Sequence, residues 1–176
     1  MRNNQPVTQR EKSLPESQRL ISTTDVKGQI TYCNEAFIDI SGFSRDELLR
    51  APHNLVRHPD VPSAVFAHMW NTLKGGKPWM GIVKNRCKNG DHYWVNAYVT
   101  PMLENRQVVG YESVRVKPTR EQIQRAEALY ARINAGKAAI PAMDSVTPIV
   151  QDWLPFILIS QIGFMVGAWL NSHWGF

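Results

Sequence analysis

The regular pattern of apolar and polar residues begins at Leu20, after a polar leading segment. Residues 20–25 (LISTTD) and 29–33 (QITYC) alternate with the period of two that is typical of a half-buried strand, and Gly28 lies in the turn between them. We therefore predict a β-hairpin here. Residues 1–19 are polar and contain two prolines, so we expect a flexible or loosely docked N-terminal cap.

Helical spacing follows the hairpin. Two short helices are predicted over residues 34–41 (NEAFIDIS) and 44–50 (SRDELLR), the second of which starts with an S-x-x-E capping box. A third helix is predicted after the sequence RHPDVP of residues 57–62, because apolar residues then recur at helical spacing as far as a Gly-Gly pair. Asp60 is the residue type that we expect at its N-cap.

Three strands and a polar helix complete the pattern. The strands are predicted over residues 79–88, 91–103 and 107–116, with Asn-Gly in the first turn, and the helix over residues 120–135, after a capping box. The order β-β-α-α-α-β-β-β indicates an α+β fold in which the helices lie on one face of an antiparallel sheet of about five strands. Such a fold leaves a cavity between sheet and helices, which suits a sensor better than an enzyme.

The C-terminal part is different in composition. Residues 153–170 (WLPFILISQIGFMVGAWL) contain no charged residue and have tryptophans near both ends, which predicts a transmembrane segment. Cationic residues lie before it, in the helix and connector of residues 119–152, and His173 is the one residue after it that could carry positive charge. The positive-inside rule then places residues 20–118 in the cytoplasm, with a short tail at residues 171–176 after the membrane segment.

Charge and cysteine content exclude several classes of protein. The formal net charge is +5, but Lys and Arg are scattered along the chain, so we expect no nucleic-acid partner. Cys33 and Cys87 lack the spacing of a zinc site or a disulfide framework. No nucleophile paired with a base is apparent, so we expect no enzyme.

Several segments carry a resemblance to a known family. They are 22-STTD-25, 52-PHNLVRHPDVP-62, 66-FAHMWNTLKGGKPWMGIVKNRCKNGDHYWV-95 and 110-GYESVRV-116, which cover most of residues 20–118. The chain resembles the bacterial aerotaxis receptor family, whose PAS domain binds FAD and senses redox state. This implies a PAS fold at residues 20–118 and FAD as cofactor. Members of that family continue into a HAMP domain and a methyl-accepting coiled coil, so a signalling partner or such a region, and a homodimer, are also implied.

The sequence 57-RHPD-60 has three possible interpretations. As a metal site it offers one imidazole and one carboxylate without a second histidine at helical spacing, which is weak. As a helix N-terminus it needs only Asp60 as a cap, with Arg57 and His58 in solvent. The resemblance favours a third interpretation, in which Arg57 and His58 bind the ribityl or diphosphate part of FAD and Asp60 holds the start of the helix.

Strand alternation gives a second set of candidate ligands. Trp79, Gly81, Val83 and Asn85 share one face of a strand and would offer a flat wall, room for close approach and an amide. Asn34 could serve the flavin from the opposite side, although it could equally be a helix N-cap. The remaining candidates for the pocket are His53, Phe66 and Trp70.

Three other functions stay open at this point. A cofactor-free PAS module would only dimerise or dock a partner, a haem PAS domain would use His58 or His68 as axial ligand, and a small flavin oxidoreductase would turn over NADH. Blue-light adduct chemistry is not expected, since the region of RHPDVPSAV has no cysteine. We expect a membrane-tethered, FAD-binding redox or oxygen-linked sensor for aerotaxis-type signal transduction.

Overall fold

A computed structural model of the chain describes residues 4–137. The elements follow the predicted order, with one additional 3₁₀ helix before the RHPDVP loop. They are β1 (Leu20–Asp25), β2 (Ile30–Cys33), α1 (Glu35–Ser41), α2 (Arg45–Leu48), the 3₁₀ helix (His53–Val56), α3 (Ser63–Lys74), β3 (Trp79–Arg86), β4 (His92–Glu104), β5 (Gln107–Val116) and α4 (Arg120–Asn134).

The five strands form one antiparallel sheet in the order β2-β1-β5-β4-β3. The first and last strands along the chain therefore pair in its centre, from Leu20 opposite Arg115 to Asp25 opposite Gly110. The predicted five-stranded antiparallel sheet is confirmed. Its central pairing places residues from both ends of the domain beside one another on the same face.

The helix starts follow their capping residues in three cases. Asn34 caps α1, Ser44 caps α2 with Glu47 returning the bond, and Thr119 and Gln122 do the same for α4. The prediction that Asp60 caps α3 is wrong, because the N-cap is Pro62 and has no side-chain bond. The Asp60 carboxylate instead lies 2.7 Å from the buried ammonium of Lys84.

The sheet separates two environments. We call the side that faces α1 and α3 the cavity face, and the other side, with Lys84 and Trp94, the outer face. The C-terminal helix α4, which the sequence predicts after the sheet, packs on the outer face. Ile123 of α4 lies near Trp94, and the Tyr130 hydroxyl donates to the carbonyl of Ile82. The chain thus covers its own outer face.

Residues 4–19 are bound more closely than the sequence suggested. The Lys12 amide donates to the carbonyl of His92 at 2.7 Å, and the Arg86 guanidinium donates to the carbonyl of Pro6 at 2.7 Å. Asn4 is buried, and its amide donates to the carbonyls of residues 54, 55 and 57. This segment therefore reaches the loop that precedes α3.

No helix within residues 4–137 has the length and hydropathy needed to cross a bilayer. The transmembrane segment that we predict at residues 153–170 lies outside the described residues, as do the connector from residue 138 and the tail at 171–176.

Candidate functional site

A cavity of about 340 Å³ lies between α3, the loop before it and the cavity face of the sheet. Its walls are mainly apolar and aromatic, and polar side chains enter from β1, β3, β5 and the loop. The lining residues include Ser22, Thr24, Lys27, Gly28, His53, Asn54, Val56, Arg57, Phe66, Met69, Trp70, Leu73, Trp79, Val83, Asn85, Val95, Ala97, Val99, Tyr111, Ser113 and Arg115.

Trp79 forms one fixed aromatic wall. Its indole nitrogen donates to Nδ1 of His68 on α3 at 3.1 Å. A methyl group placed on Gly81 would lie 2.4 Å from the Trp79 ring, so the ring lies directly over Gly81. The sequence predicted that Gly81 leaves room for a ligand, but the Trp79 ring fills that space. Trp79 itself lines the cavity.

Trp70 and Tyr111 form a second aromatic wall of the cavity. Trp70 of α3 meets Tyr111 of β5 edge to face, with ring centroids 5.3 Å apart. Its ring also lies against Gly28, whose φ of +80° and 3.2 Å clearance favour glycine. Flat rings on two sides suit a planar aromatic ligand.

Arg57 brings a cation to the cavity from the loop. The side chain is buried; its Nη2 donates to the carbonyl of Val61 at 2.9 Å, and its carbon Cζ lies 4.6 Å from the centre of the Phe66 ring. Its Nε has no partner in the part of the chain that the structure describes. A single β-bridge joins Arg57 to Asn85, so the loop and β3 are held together at the cavity wall.

Arg115 is a second buried cation, on β5. Its Nε donates to Ser113 Oγ at 2.9 Å, and its Nη2 donates to Ser22 Oγ and to Nε2 of His53, the latter at 2.9 Å. The guanidinium stacks on Phe37, 4.6 Å from the ring centre, and Nη1 has no partner among residues 4–137. Burial lowers the pKa of Arg115 to about 10, so it stays charged near neutral pH.

His53 is the neutral partner of that cation. Burial and the charge of Arg115 lower the pKa of His53 to about 3. Since Nε2 accepts a bond from Arg115, the ring proton lies on Nδ1. The pair therefore carries one net positive charge.

The charge inside the cavity is unbalanced. Lys27, Arg57 and Arg115 contribute to its lining, and no Asp or Glu does. An uncompensated buried cation is costly, and a negative or strongly accepting ligand group would offset that cost. The site is built to receive an acceptor-rich or anionic molecule.

His58 and Asp60 lie outside this lining. His58 is fully buried, and its Nδ1 accepts from the Asp60 amide at 3.2 Å; its ring meets His92 edge to face at 5.7 Å. Burial and then the charge of Lys84 lower the pKa of His58 to about 4. Asp60 holds Lys84, whose hydrogen bond lowers the pKa of that carboxyl against the effect of burial. His58 and Asp60 therefore make contacts within and beside the loop, outside the cavity lining.

Asn34 also lies away from the cavity lining. Its side-chain oxygen accepts from the amides of Phe37 and Ile21 at 3.2 and 3.0 Å, and its Nδ2 donates to the carbonyl of Arg19 at 2.8 Å. The helix-cap interpretation therefore describes its contacts.

The structure thus divides the predicted site residues into two sets. Those in the cavity lining are His53, Arg57, Phe66, Trp70, Trp79 and Asn85, whereas Asn34, His58 and Asp60 surround it. The sequence interpretation missed the strand β5 contribution of Tyr111, Ser113 and Arg115. No signal within the strand separates Arg115 from an exposed arginine, because its burial depends on the pairing of β5 with the distant strand β1.

No cluster of three or more His, Cys, Asp or Glu side chains suited to a metal ion occurs within the described range.

Comparison with known proteins agrees with this geometry. Residues 30–115 match the family model described as the PAS fold. Among solved structures, the light-state structure of the blue-light photoreceptor Aureochrome1 LOV superposes with a TM-score of 0.57 at 20% identity, over 67% of this chain and 93% of that one. A light-oxygen-voltage domain studied with a flavin analogue gives 0.57 at 18% identity, over 69% and 90%. Fold and family model together define a PAS domain.

Sequence relatives narrow the assignment. The aerotaxis receptor of Escherichia coli K12 is 50% identical over 133 residues, which are 76% of this chain and 26% of the receptor. The nitrogen fixation regulatory protein of Klebsiella pneumoniae is 30% identical over 143 residues, 77% of this chain and 29% of that protein. The chain belongs to the aerotaxis-receptor family of PAS proteins, and it spans between a quarter and a third of the length of these relatives.

Proposed function

We propose that the protein is a redox sensor that binds FAD in the cavity and reports on oxygen-linked energy state for aerotaxis-type signalling. The observation that carries this proposal is a cavity with aromatic walls and buried cations but no carboxylate in its lining. The membership in the aerotaxis-receptor family supports the same function.

The residues of the cavity fit the chemistry of a flavin. Its tricyclic ring is flat and largely apolar, matching Trp70 and Trp79, and its polar edge needs both donors and acceptors, which the Asn85 amide offers. A diphosphate would complement Arg57 and Lys27. The unpartnered Nε of Arg57 and Oγ1 of Thr24 are the kind of groups that a bound ligand satisfies.

The cavity volume limits how much of the cofactor is enclosed. A volume of about 340 Å³ lies near the lower end of the roughly 300–1,000 Å³ of ligand pockets. It suits the ring and part of the ribityl chain, with the adenine outside. The rest of FAD would leave the cavity beside Lys27 and Asn54, which are exposed residues of the lining.

Bound FAD would supply reversible uptake of electrons, and the protein would convert the change in charge into a change in contacts. Arg57 and Asn85 face the cavity and are joined by a β-bridge. Lys84, the residue before Asn85 in β3, lies on the outer face and binds the Asp60 carboxylate. The carbonyl of Asp60 in turn accepts from Asn134 of α4 at 3.0 Å. This path leads from the cavity to the last turn of α4.

The wider setting is also part of the proposal. We place the domain in the cytoplasm, tethered to the inner membrane through residues 153–170, because cationic residues precede that segment. The protein would act as a homodimer. The signal would pass to a HAMP and methyl-accepting region, either of the same protein or of a separate signalling partner. No substrate turnover is proposed.

An absorption spectrum of the detergent-purified protein tests the proposal first. Flavin bands that bleach with dithionite, together with release of FAD on heating, are the expected result. A colourless protein that FAD does not reconstitute would overturn the proposal in favour of a docking module.

A Soret band would instead indicate haem. The contacts do not favour that outcome, because His58 and His68 lie outside the lining and each already accepts a hydrogen bond at Nδ1.

Two substitutions test the site itself. Asn85→Ala and Arg57→Ala should each reduce flavin occupancy on the order of 10-fold or more, because each removes a polar group that faces the ligand. Asn96→Ala is the matched control, since Asn96 is equally buried but alternates to the outer face of β4. Stoichiometric flavin in the Asn85 and Arg57 variants would contradict their assignment.

A further inference from the structure

Arg115 is the least accessible charged residue of the cavity. It is 2% exposed, whereas Lys27 lies in the exposed turn at the cavity's edge. Among residues 4–137 no carboxylate forms an ion pair with it. Its partners are two serine hydroxyls, a neutral imidazole and a phenylalanine ring.

Those partners fix the guanidinium in one orientation. Ser113 and Ser22 lie on the neighbouring strands β5 and β1, and His53 comes from the 3₁₀ helix, so three separate segments hold it. The His53 ring also stacks on the Phe37 ring, with centroids 5.9 Å apart, and Phe37 is the ring against which the Arg115 guanidinium packs. Four polar or aromatic side chains are thus arranged to hold a charge that nothing in the described chain neutralises.

One nitrogen of this group, with its two N–H donors, is left over. Nη1 of Arg115 is buried and has no partner in the described residues, and Arg115 lines the cavity. A guanidinium offers five N–H donors in a rigid fork and accepts nothing, so the unused donors need an acceptor. Because Arg115 lines the cavity, a ligand bound there can supply it.

We propose that Arg115 is a further ligand-binding residue, which recognises the acceptor edge of the ring of the bound flavin rather than its phosphates. The proposal rests on the proposed function. The deep position of Arg115 favours the ring, because the hydrated phosphate tail must lie toward the exposed residues at the edge while the apolar ring enters the interior. The charge of Arg115 also favours the electron-rich reduced ring.

The test compares three flavins with Arg115→Met. Apoprotein is titrated with FAD, FMN and riboflavin, and dissociation constants are obtained from flavin fluorescence. We expect all three affinities to fall by a similar factor, on the order of 10- to 100-fold, as for the loss of a hydrogen bond from a charged donor. The midpoint potential of the flavin that still binds should also fall.

Controls separate this role from a structural one. Lys84→Met removes a buried cation from the outer face of the same sheet and should leave the three flavin affinities unchanged. Ligand-free Arg115→Met should melt no lower than ligand-free wild type, because it removes a buried charge that no carboxylate among residues 4–137 neutralises. If it fails to fold, Arg115→Gln replaces it, with the same expectation for the affinities.

The outcomes are distinct. Loss confined to FAD and FMN would assign Arg115 to the phosphates and overturn the proposal, as would unchanged affinity for all three. A midpoint potential that does not fall would also contradict it. Wild-type protein that binds none of the flavins would remove the proposed function and this inference with it.

Discussion

The two faces of the sheet differ in the partners of their buried cations. On the outer face, Lys84 is 7% exposed at its side chain and lies 2.7 Å from the Asp60 carboxylate. On the cavity face, Arg115 is as deeply buried and finds only neutral partners. The outer face therefore pairs its buried cation with a carboxylate, whereas the cavity face leaves Arg115 without a carboxylate among residues 4–137.

This difference separates stability from binding. Contacts on the outer face involve α4, the loop after Arg57 and the N-terminal segment, and should contribute mainly to the free energy of unfolding. Residues on the cavity face should contribute mainly to ligand affinity, and some of them at a cost to the empty protein. The following predictions test whether stability and ligand affinity depend on different faces of the sheet.

Tyr130→Ala should have the largest effect. Tyr130 is a buried residue of α4 whose hydroxyl donates to Ile82, and truncating a large buried ring costs about 3 kcal/mol of unfolding free energy. Tyr130→Phe, which loses only the hydroxyl, should cost about 1 kcal/mol. Denaturant unfolding measures both.

Flavin affinity should stay at the wild-type value in both Tyr130 variants wherever the domain is folded. A folded Tyr130→Ala protein that no longer binds flavin would show that the outer face takes part in binding and that the division fails.

Acid should affect both faces. Burial lowers the pKa of His53 to about 3 on the cavity face and that of His58 to about 4 behind the loop. In the unfolded chain both histidines bind protons below about pH 6.5, whereas in the folded chain they stay neutral. The free energy of unfolding therefore falls as pH falls from 7 toward 4. For His53 the loss at pH 5 is about 2 kcal/mol.

Melting of the ligand-free protein at pH 7, 6 and 5 measures this loss. His53→Gln should flatten the profile, because the amide does not titrate. A melting temperature that stays constant over this range would mean that the histidines are not held neutral.

Asp60→Ala should have the smallest effect, about 1 kcal/mol, since the Asp60 side chain is 55% exposed. It leaves Lys84 buried without its carboxylate, so Asp60→Ala combined with Lys84→Met should recover part of the loss. Thermal unfolding of the single and double variants gives the coupling. Weaker FAD binding in Asp60→Ala than in the double variant would indicate that the loop transmits the pairing to the cavity.

The parts of the fold that sequence predicted are those set by near neighbours. Alternation identified β1, and the Ser44 and Thr119 capping boxes marked the starts of α2 and α4, because each signal lies within a few residues. The cap assigned to Asp60 failed for the opposite reason. Its carboxylate is bound by Lys84, 24 residues away, and this long-range pair outweighs the local preference.

The site shows the same limit. Arg57 and Asn85 could be chosen from sequence because each lies in a segment with a recognisable pattern. Arg115 could not, since a single arginine in a strand gives no sign of being buried. Its burial depends on Ser22, 93 residues away, which the central pairing of β1 with β5 brings beside it.

The position of Asn4 has a consequence for how the domain is assembled during synthesis. Its amide donates to the carbonyls of Asn54, Leu55 and Arg57 at 2.8, 3.1 and 2.9 Å, and the segment after it is bound to β4 through His92. These acceptors leave the ribosome long after Asn4 does. The leading segment therefore cannot complete its contacts until β4 has been made, and the loop beside the cavity gains these hydrogen bonds from a residue that lies at least 50 positions before it.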